Sequence, residues 1–151
     1  MTTEEPQLTD RPPQPAAVVR GHVATAELPE FLFGAYTAVM QALSDQHRPP
    51  SGPPFARYHE TEDGFDVEAG FPTGSEIASA GGVASAVLPG GTTATALHRG
   101  SYDTVGEAYQ VLTEWLTAHG YAPAGAPWES YLDEPGVSDP RTVVAFPCRR
   151  A

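Results

Sequence analysis

Trp128-Glu129-Ser130-Tyr131 lies 73 positions after Phe55-Ala56-Arg57-Tyr58 (131 against 58), and the match extends well beyond these two stretches. At the same offset, Ala108, Tyr109, Leu116, Pro123, Gly125, Pro127 and Tyr131 repeat Ala35, Tyr36, Leu43, Pro50, Gly52, Pro54 and Tyr58. That is seven identities across the 24 positions from 35 to 58, where average composition gives roughly two. Val39 pairs with Leu112 and Phe55 with Trp128, which keeps the chemistry. Shifted offsets match Arg20-Gly21 with Arg99-Gly100 and Phe71-Pro72 with Phe146-Pro147. Two copies predict a duplicated domain with pseudo-two-fold symmetry rather than a longer array.

Each copy reads strand, helix, strand, strand. In the first, residues 16–23 form a β run, and Pro29 suits a helix start because its missing N–H is unpaired there anyway. Leu32, Ala35, Tyr36, Val39 and Leu43 then recur at helical spacing. The Pro-rich run 47–54 ends that helix. Residues 55–60 and 65–71 read as strands joined by the turn 61–64. Phe65, Val67, Ala69 and Phe71 alternate with Asp66, Glu68 and Gly70, which gives one apolar face and one acidic face. After a Gly-rich link over 73–82, residues 83–88 add a strand and 92–98 open the second copy. Asp103 is the expected helix N-cap and Gly120 the stop, with Val105, Ala108, Tyr109, Leu112 and Leu116 as the second stripe. Residues 128–132 and 142–146 supply the last two strands. The repeats thus run about 16–72 and 92–147 inside a single domain over 16–151.

Composition narrows the function. Nineteen acidic against eight basic residues give a formal charge of -11, which disfavours direct nucleic-acid binding. Residues 1–15 are acidic and Pro-rich, so they read as a disordered leader, with neither signal peptide nor membrane span. Cys148 is the single cysteine, so no intrachain disulfide exists, and a cytoplasmic protein is expected. The five histidines lack metal spacing and no cofactor motif is present; Gly90-Gly91 reads as a turn.

The runs Leu88-Pro89-Gly90-Gly91, His98-Arg99-Gly100-Ser101-Tyr102-Asp103, Trp115-Leu116 and Trp128-Glu129-Ser130-Tyr131 together resemble the GyrI-like small-molecule-binding domain. Ala56-Arg57-Tyr58 and the stretch 65–72 fit it too, so the resemblance covers about residues 16–148. The same module is the effector-binding domain of multidrug-responsive regulators of the MerR and AraC classes. The resemblance implies an α+β fold of two βαββ units in one curved antiparallel sheet. Helices would cover its outer face and a ligand groove would line the inner one. It also implies that Glu129 is the acid that meets cationic, lipophilic ligands.

With the apolar strand faces turned to the helices, the groove side is expected to carry Asp66, Glu68, Tyr58, Glu129 and Tyr131. Ala56 stands where the second copy has Glu129, and Val143 where the first has Glu68, so acid and apolar surface would share one pocket. Trp128 points to the helices by strand parity, or inward if its loop turns it. His98 reads as a structural strand histidine or a groove residue, while Tyr109 and Trp115 read as core. Three functions compete, in this order. The first is a stand-alone binder of lipophilic, often cationic molecules, with the two repeats leaving no length for a DNA-reading helix-turn-helix. The second is a hydrolase of strained cyclopropane-bearing alkylating natural products, with Glu129 and Tyr131 catalytic. The third is a protein-interaction role with gyrase or a regulator.

Overall fold

A computed structural model describes residues 2–134 and 136–151; Met1 and Pro135, the latter within the turn expected after Leu132, lie outside the described residues. In chain order the elements are β1 (Thr2–Thr3), β2 (Gln7–Arg11), β3 (Gln14–Val23), α1 (Leu28–Asp45), β4 (Phe55–Thr61), β5 (Gly64–Pro72), β6 (Ala84–Leu88) and β7 (Gly91–Arg99). They continue with α2 (Gly106–Ala118), β8 (Tyr121–Pro123), β9 (Trp128–Tyr131) and β10 (Arg141–Arg150). The strand pairings within each half are antiparallel, and the fold is α+β, as the sequence predicts.

Two compact units divide the chain, Pro13–Pro89 and Gly90–Ala151 with the N-terminal segment up to Pro12. In the first, the strands lie in the order β4-β5-β3-β6, so β6 joins the first repeat rather than linking the two. Helix α1 buries Ala35, Val39 and Leu43, and Ala17, Ile77 and Val83 complete that core. The close seat of α1 on β3 depends on Gly21, where an added Cβ would stand 2.4 Å from the Phe31 ring. In the second unit, β10 lies between β7 and β9, and its C-terminal end also pairs with β8. Helix α2 buries Ala108, Leu112 and Leu116, the same three stripe positions 73 residues on. They pack on Ala94, Ala96, Val144, Phe146 and Cys148.

Two local predictions fail. The N-terminal stretch does not read as a disordered leader: β1 and β2 run antiparallel to β7, and Glu4 N–H donates to the Leu97 carbonyl at 2.8 Å. The free edge of β7 supplies a ladder that composition alone does not reveal, and Pro6 and Pro12 fall outside the strands. Asp103 is not the helix N-cap. A short 3-10 helix, Tyr102–Thr104, precedes α2, and the Ser101 side chain accepts from Asp103 N–H at 3.2 Å. Gly120 stops α2 as expected, with φ at 78°, which a glycine adopts at no steric cost.

Candidate functional site

Register decides which way each candidate points. Glu129 is paired with Val144, and Val144 with Ala96. Both of those partners belong to the core under α2, so Glu129 and, two residues on, Tyr131 face the helix. Tyr109 of α2 reaches down and donates its phenolic O–H to Glu129 Oε2 at 2.5 Å. Tyr131 donates to Oε1 at 2.9 Å, so each carboxylate oxygen receives one tyrosine hydroxyl. Tyr109 stands edge-on to Phe146 with ring centroids 5.6 Å apart, and Tyr102 edge-on to Tyr131 at 5.7 Å. Two tyrosines therefore meet this acid, and each of their rings packs edge-on against a further aromatic.

The electrostatics follow from that setting. Burial pushes the Glu129 carboxyl above the usual carboxylate range, and the hydrogen bonds from Tyr109 and Tyr131 pull it back only in part. Among the described residues no arginine forms an ion pair with Glu129.

The face assignment made from sequence parity is reversed for several residues. Glu129, Tyr131 and Tyr58 lie on the helix side of their strands, not the opposite side. Tyr58 pairs with Val67 and touches Phe65 edge-on at 5.8 Å, while Ala56 pairs with Ala69 and is fully buried. Asp66 and Glu68 do face away from α1, as predicted, but both are already paired. Glu68 Oε2 accepts from Arg20 Nε at 2.7 Å and its Oε1 lies 3.6 Å from Arg57, so its charge is already met. Asp66 lies 2.8 Å from His22, whose pKa is raised by that hydrogen bond and by Asp63.

Trp128 turns away from α2, against strand parity as first applied, and is 1% exposed with the Arg11 guanidinium 5.3 Å from its ring. His98 is a structural histidine. It is fully buried, with Nδ1 at 2.9 Å from Thr3 Oγ1 and Nε2 at 2.8 Å from Thr104 Oγ1. Cys148 is buried in the core, and burial raises its thiol above the ordinary range, which disfavours the nucleophilic thiolate.

Tyr109 packs on the core under α2, as the sequence predicts, and its hydroxyl contact with Glu129 is an addition that spacing does not show. Its repeat mate Tyr36 also spans from helix to strand, donating to the Phe55 carbonyl at 3.0 Å. No group of three or more His, Cys, Asp or Glu suited to a metal occurs among the described residues. Among them, no helix is long and apolar enough to cross a membrane. An open depression of about 430 Å³ at the end of α1, lined by Met40, His47 and Pro50 among others, carries no carboxylate.

Two antiparallel units, each closed by one helix, with a tyrosine-bonded acid in the second, make up this α+β fold. Residues 4–147 match the GyrI-like small molecule binding domain, and the chain belongs to that family. Among solved structures, it is similar to the crystal structure of the EcmrR C-terminal domain, at 22% identity and a TM-score of 0.81, with both chains covered in full. A hydrolase from Listeria innocua matches at 10% identity and a TM-score of 0.69, over 96% of this chain and 92% of that one. SAV2435 bound to tetraphenylphosphonium matches at 12% identity and a TM-score of 0.65, over 97% and 94%. No curated protein matches the chain.

Proposed function

We propose that this protein binds lipophilic organic cations, with Glu129 as the counter-charge and tyrosine rings as the apolar wall. The observation that carries the reading is the Glu129 carboxylate itself. It is hydrogen-bonded by two neutral donors, Tyr109 and Tyr131, whose rings pack on Phe146 and Tyr102, with no arginine ion-paired to it among the described residues. A delocalised cation gains from both the charge and the ring faces, and its greasy body suits a site that water solvates poorly. The tetraphenylphosphonium carried by SAV2435 is a ligand of this chemistry. Tyr58, Ala56 and Trp128, which the sequence also predicts to bind ligand, lie in apolar surroundings within their own units. On this reading the protein acts in the cytoplasm, and small molecules rather than nucleic acid are its partners, in keeping with a net charge of -11.

Titration with tetraphenylphosphonium and with neutral triphenylphosphine oxide tests this. Glu129→Gln should weaken the cation by about 2–5 kcal/mol, the range for an uncompensated buried charge pair, and leave the neutral compound nearly unchanged. Equal losses for both ligands would remove Glu129 as the counter-charge.

A second reading has one specific observation behind it. A carboxyl with a raised pKa beside a tyrosine hydroxyl, at 2.9 Å, is a pairing suited to proton transfer. Hydrolytic opening of a strained cyclopropane would use Glu129 on water and Tyr131 on the conjugated carbonyl. Incubation with a cyclopropyl-dienone then yields a product heavier by one water, and Glu129→Gln abolishes it. An unchanged mass spectrum with the native protein would dispose of this reading.

A further inference from the structure

Across β1, β7, β10 and β9 one row of residues shares the helix-facing side of the second unit: Thr3, His98, Thr142 and Tyr131. Three of its members, Thr3, His98 and Tyr131, have a polar atom engaged in a hydrogen bond. His98 binds Thr3 and Thr104 through its two ring nitrogens, and Tyr131 donates to Glu129. Thr142, between His98 and Tyr131, is fully buried, and among the described residues its Oγ1 has no hydrogen-bond partner. A buried hydroxyl without a partner is uncommon in a native fold and calls for a physical account.

The 3-10 helix Tyr102–Thr104 bridges this row. Thr104 holds it at the His98 end through the 2.8 Å contact, and the Tyr102 ring leans on Tyr131 at the other. Tyr102 is 43% exposed, so the aromatic resting on Tyr131 beside Thr142 is a surface side chain. Cross-strand neighbours stand about 5 Å apart at Cβ, which puts Thr142 next to Tyr131. Glu129 lies two residues back along the strand, roughly 7 Å away.

We propose that the Thr142 hydroxyl is a specificity-determining group of the ligand site, which engages a hydroxyl or carbonyl carried by the cation about 7 Å from its charge. The inference rests on the organic-cation reading above and narrows it, from greasy cations in general to those bearing a second, polar end. Rotation of Tyr102 off Tyr131 opens the way to Thr142. The ligand's polar group then gives Oγ1 the partner that the fold withholds, while Glu129 meets the charge. A cation without a polar end leaves the threonine as it is.

The test compares (4-hydroxybutyl)triphenylphosphonium with pentyltriphenylphosphonium, which differ by a hydroxyl for a methyl, on the native chain and on Thr142→Val and Thr142→Ser. Thr142→Val should weaken the hydroxybutyl compound roughly 5–10-fold, the worth of one neutral hydrogen bond, without weakening the pentyl one. Thr142→Ser should restore the difference. The melting temperature of the ligand-free chain should hold or rise in Thr142→Val, because an orphaned buried hydroxyl is replaced by a methyl. A marked fall in melting temperature would show that the fold already satisfies Oγ1, and would overturn the proposal. Equal responses of the two phosphoniums to Thr142→Val would overturn it too, while leaving the cation reading intact. Binding of neither compound to the native chain would overturn both.

Discussion

In the first unit α1 sets Tyr36 edge-on against Phe71, with centroids 5.7 Å apart and planes at 71°. In the second, α2 sets Tyr109 against Phe146 at 5.6 Å and 78°. The same aromatic pair occurs twice, at the offsets the sequence repeat requires. The hydroxyls then part company. Tyr36 donates to the Phe55 main-chain carbonyl, and Tyr109 to the Glu129 carboxylate. At the position of Glu129 the first unit carries Ala56, fully buried against its own sheet. Each unit thus holds a helix tyrosine over a strand, the frame that the two have in common. Where the first has alanine the second has glutamate, and the tyrosine then bonds a carboxylate instead of the main chain.

The shared part of the frame breaks most expensively. Leu43 and Leu116 are repeat mates, 2% and 1% exposed. Replacing either by alanine should cost about 2–5 kcal/mol in denaturant unfolding, as buried leucines do. A negligible loss at one position would mean that its helix does not anchor its unit. Smaller effects separate the tyrosines. Tyr109→Phe removes a hydrogen bond to a carboxylate, worth about 1.5–3 kcal/mol, and Tyr36→Phe one to a neutral carbonyl, about 0.5–1.5 kcal/mol. Tyr109→Phe should also raise the Glu129 pKa further, since one of its two stabilising donors is gone. If the two substitutions proved equal in thermal melts and the carboxyl did not move, the contrast between the units would fail.

The smallest effect concerns the loop before β10. Arg141 donates to Asp133 from its main-chain N–H and twice from its guanidinium, at 2.8–3.0 Å, and these bonds hold the Asp133 carboxyl below its ordinary range. A depressed folded pKa gives stability that is present above the ordinary aspartate pKa and lost as pH falls through the folded value. Asp133→Asn should therefore flatten the acid limb of the stability profile slightly. An unchanged limb would place the acid sensitivity elsewhere.

Much of this frame is legible in the sequence because it is periodic. The stripes Ala35-Val39-Leu43 and Ala108-Leu112-Leu116, the hairpin around Gly64 and the stop at Gly120 all follow from local spacing and turn chemistry. The direction of β9 does not. Four residues give parity but no anchor, and Trp128 is a natural choice for the core side. It is buried as expected, yet on the face away from α2, like its mate Phe55 on the face away from α1. The repeat held the answer, since Glu129 maps onto Ala56, and Ala56 pairs with Ala69 on the helix face. Strands β1 and β2 were illegible for another reason. An edge strand takes its order from a neighbour's open hydrogen bonds, which composition does not record. The Thr142 row is likewise a property of register between β7, β10 and β9, and no local pattern signals it.

Tetraphenylphosphonium affinity measured as a function of pH, in the native chain and in Glu129→Gln, goes most directly to the role of this carboxylate. A carboxyl whose folded pKa is raised is protonated, and so uncharged, at pH values where an ordinary glutamate is ionised. Native affinity should be highest above that raised value and fall as pH drops through it, by about tenfold per pH unit once Glu129 is mostly protonated. In Glu129→Gln the affinity should be weaker and flat over the same range. A native profile that is equally flat, or a Gln variant that keeps the slope, would contradict the account.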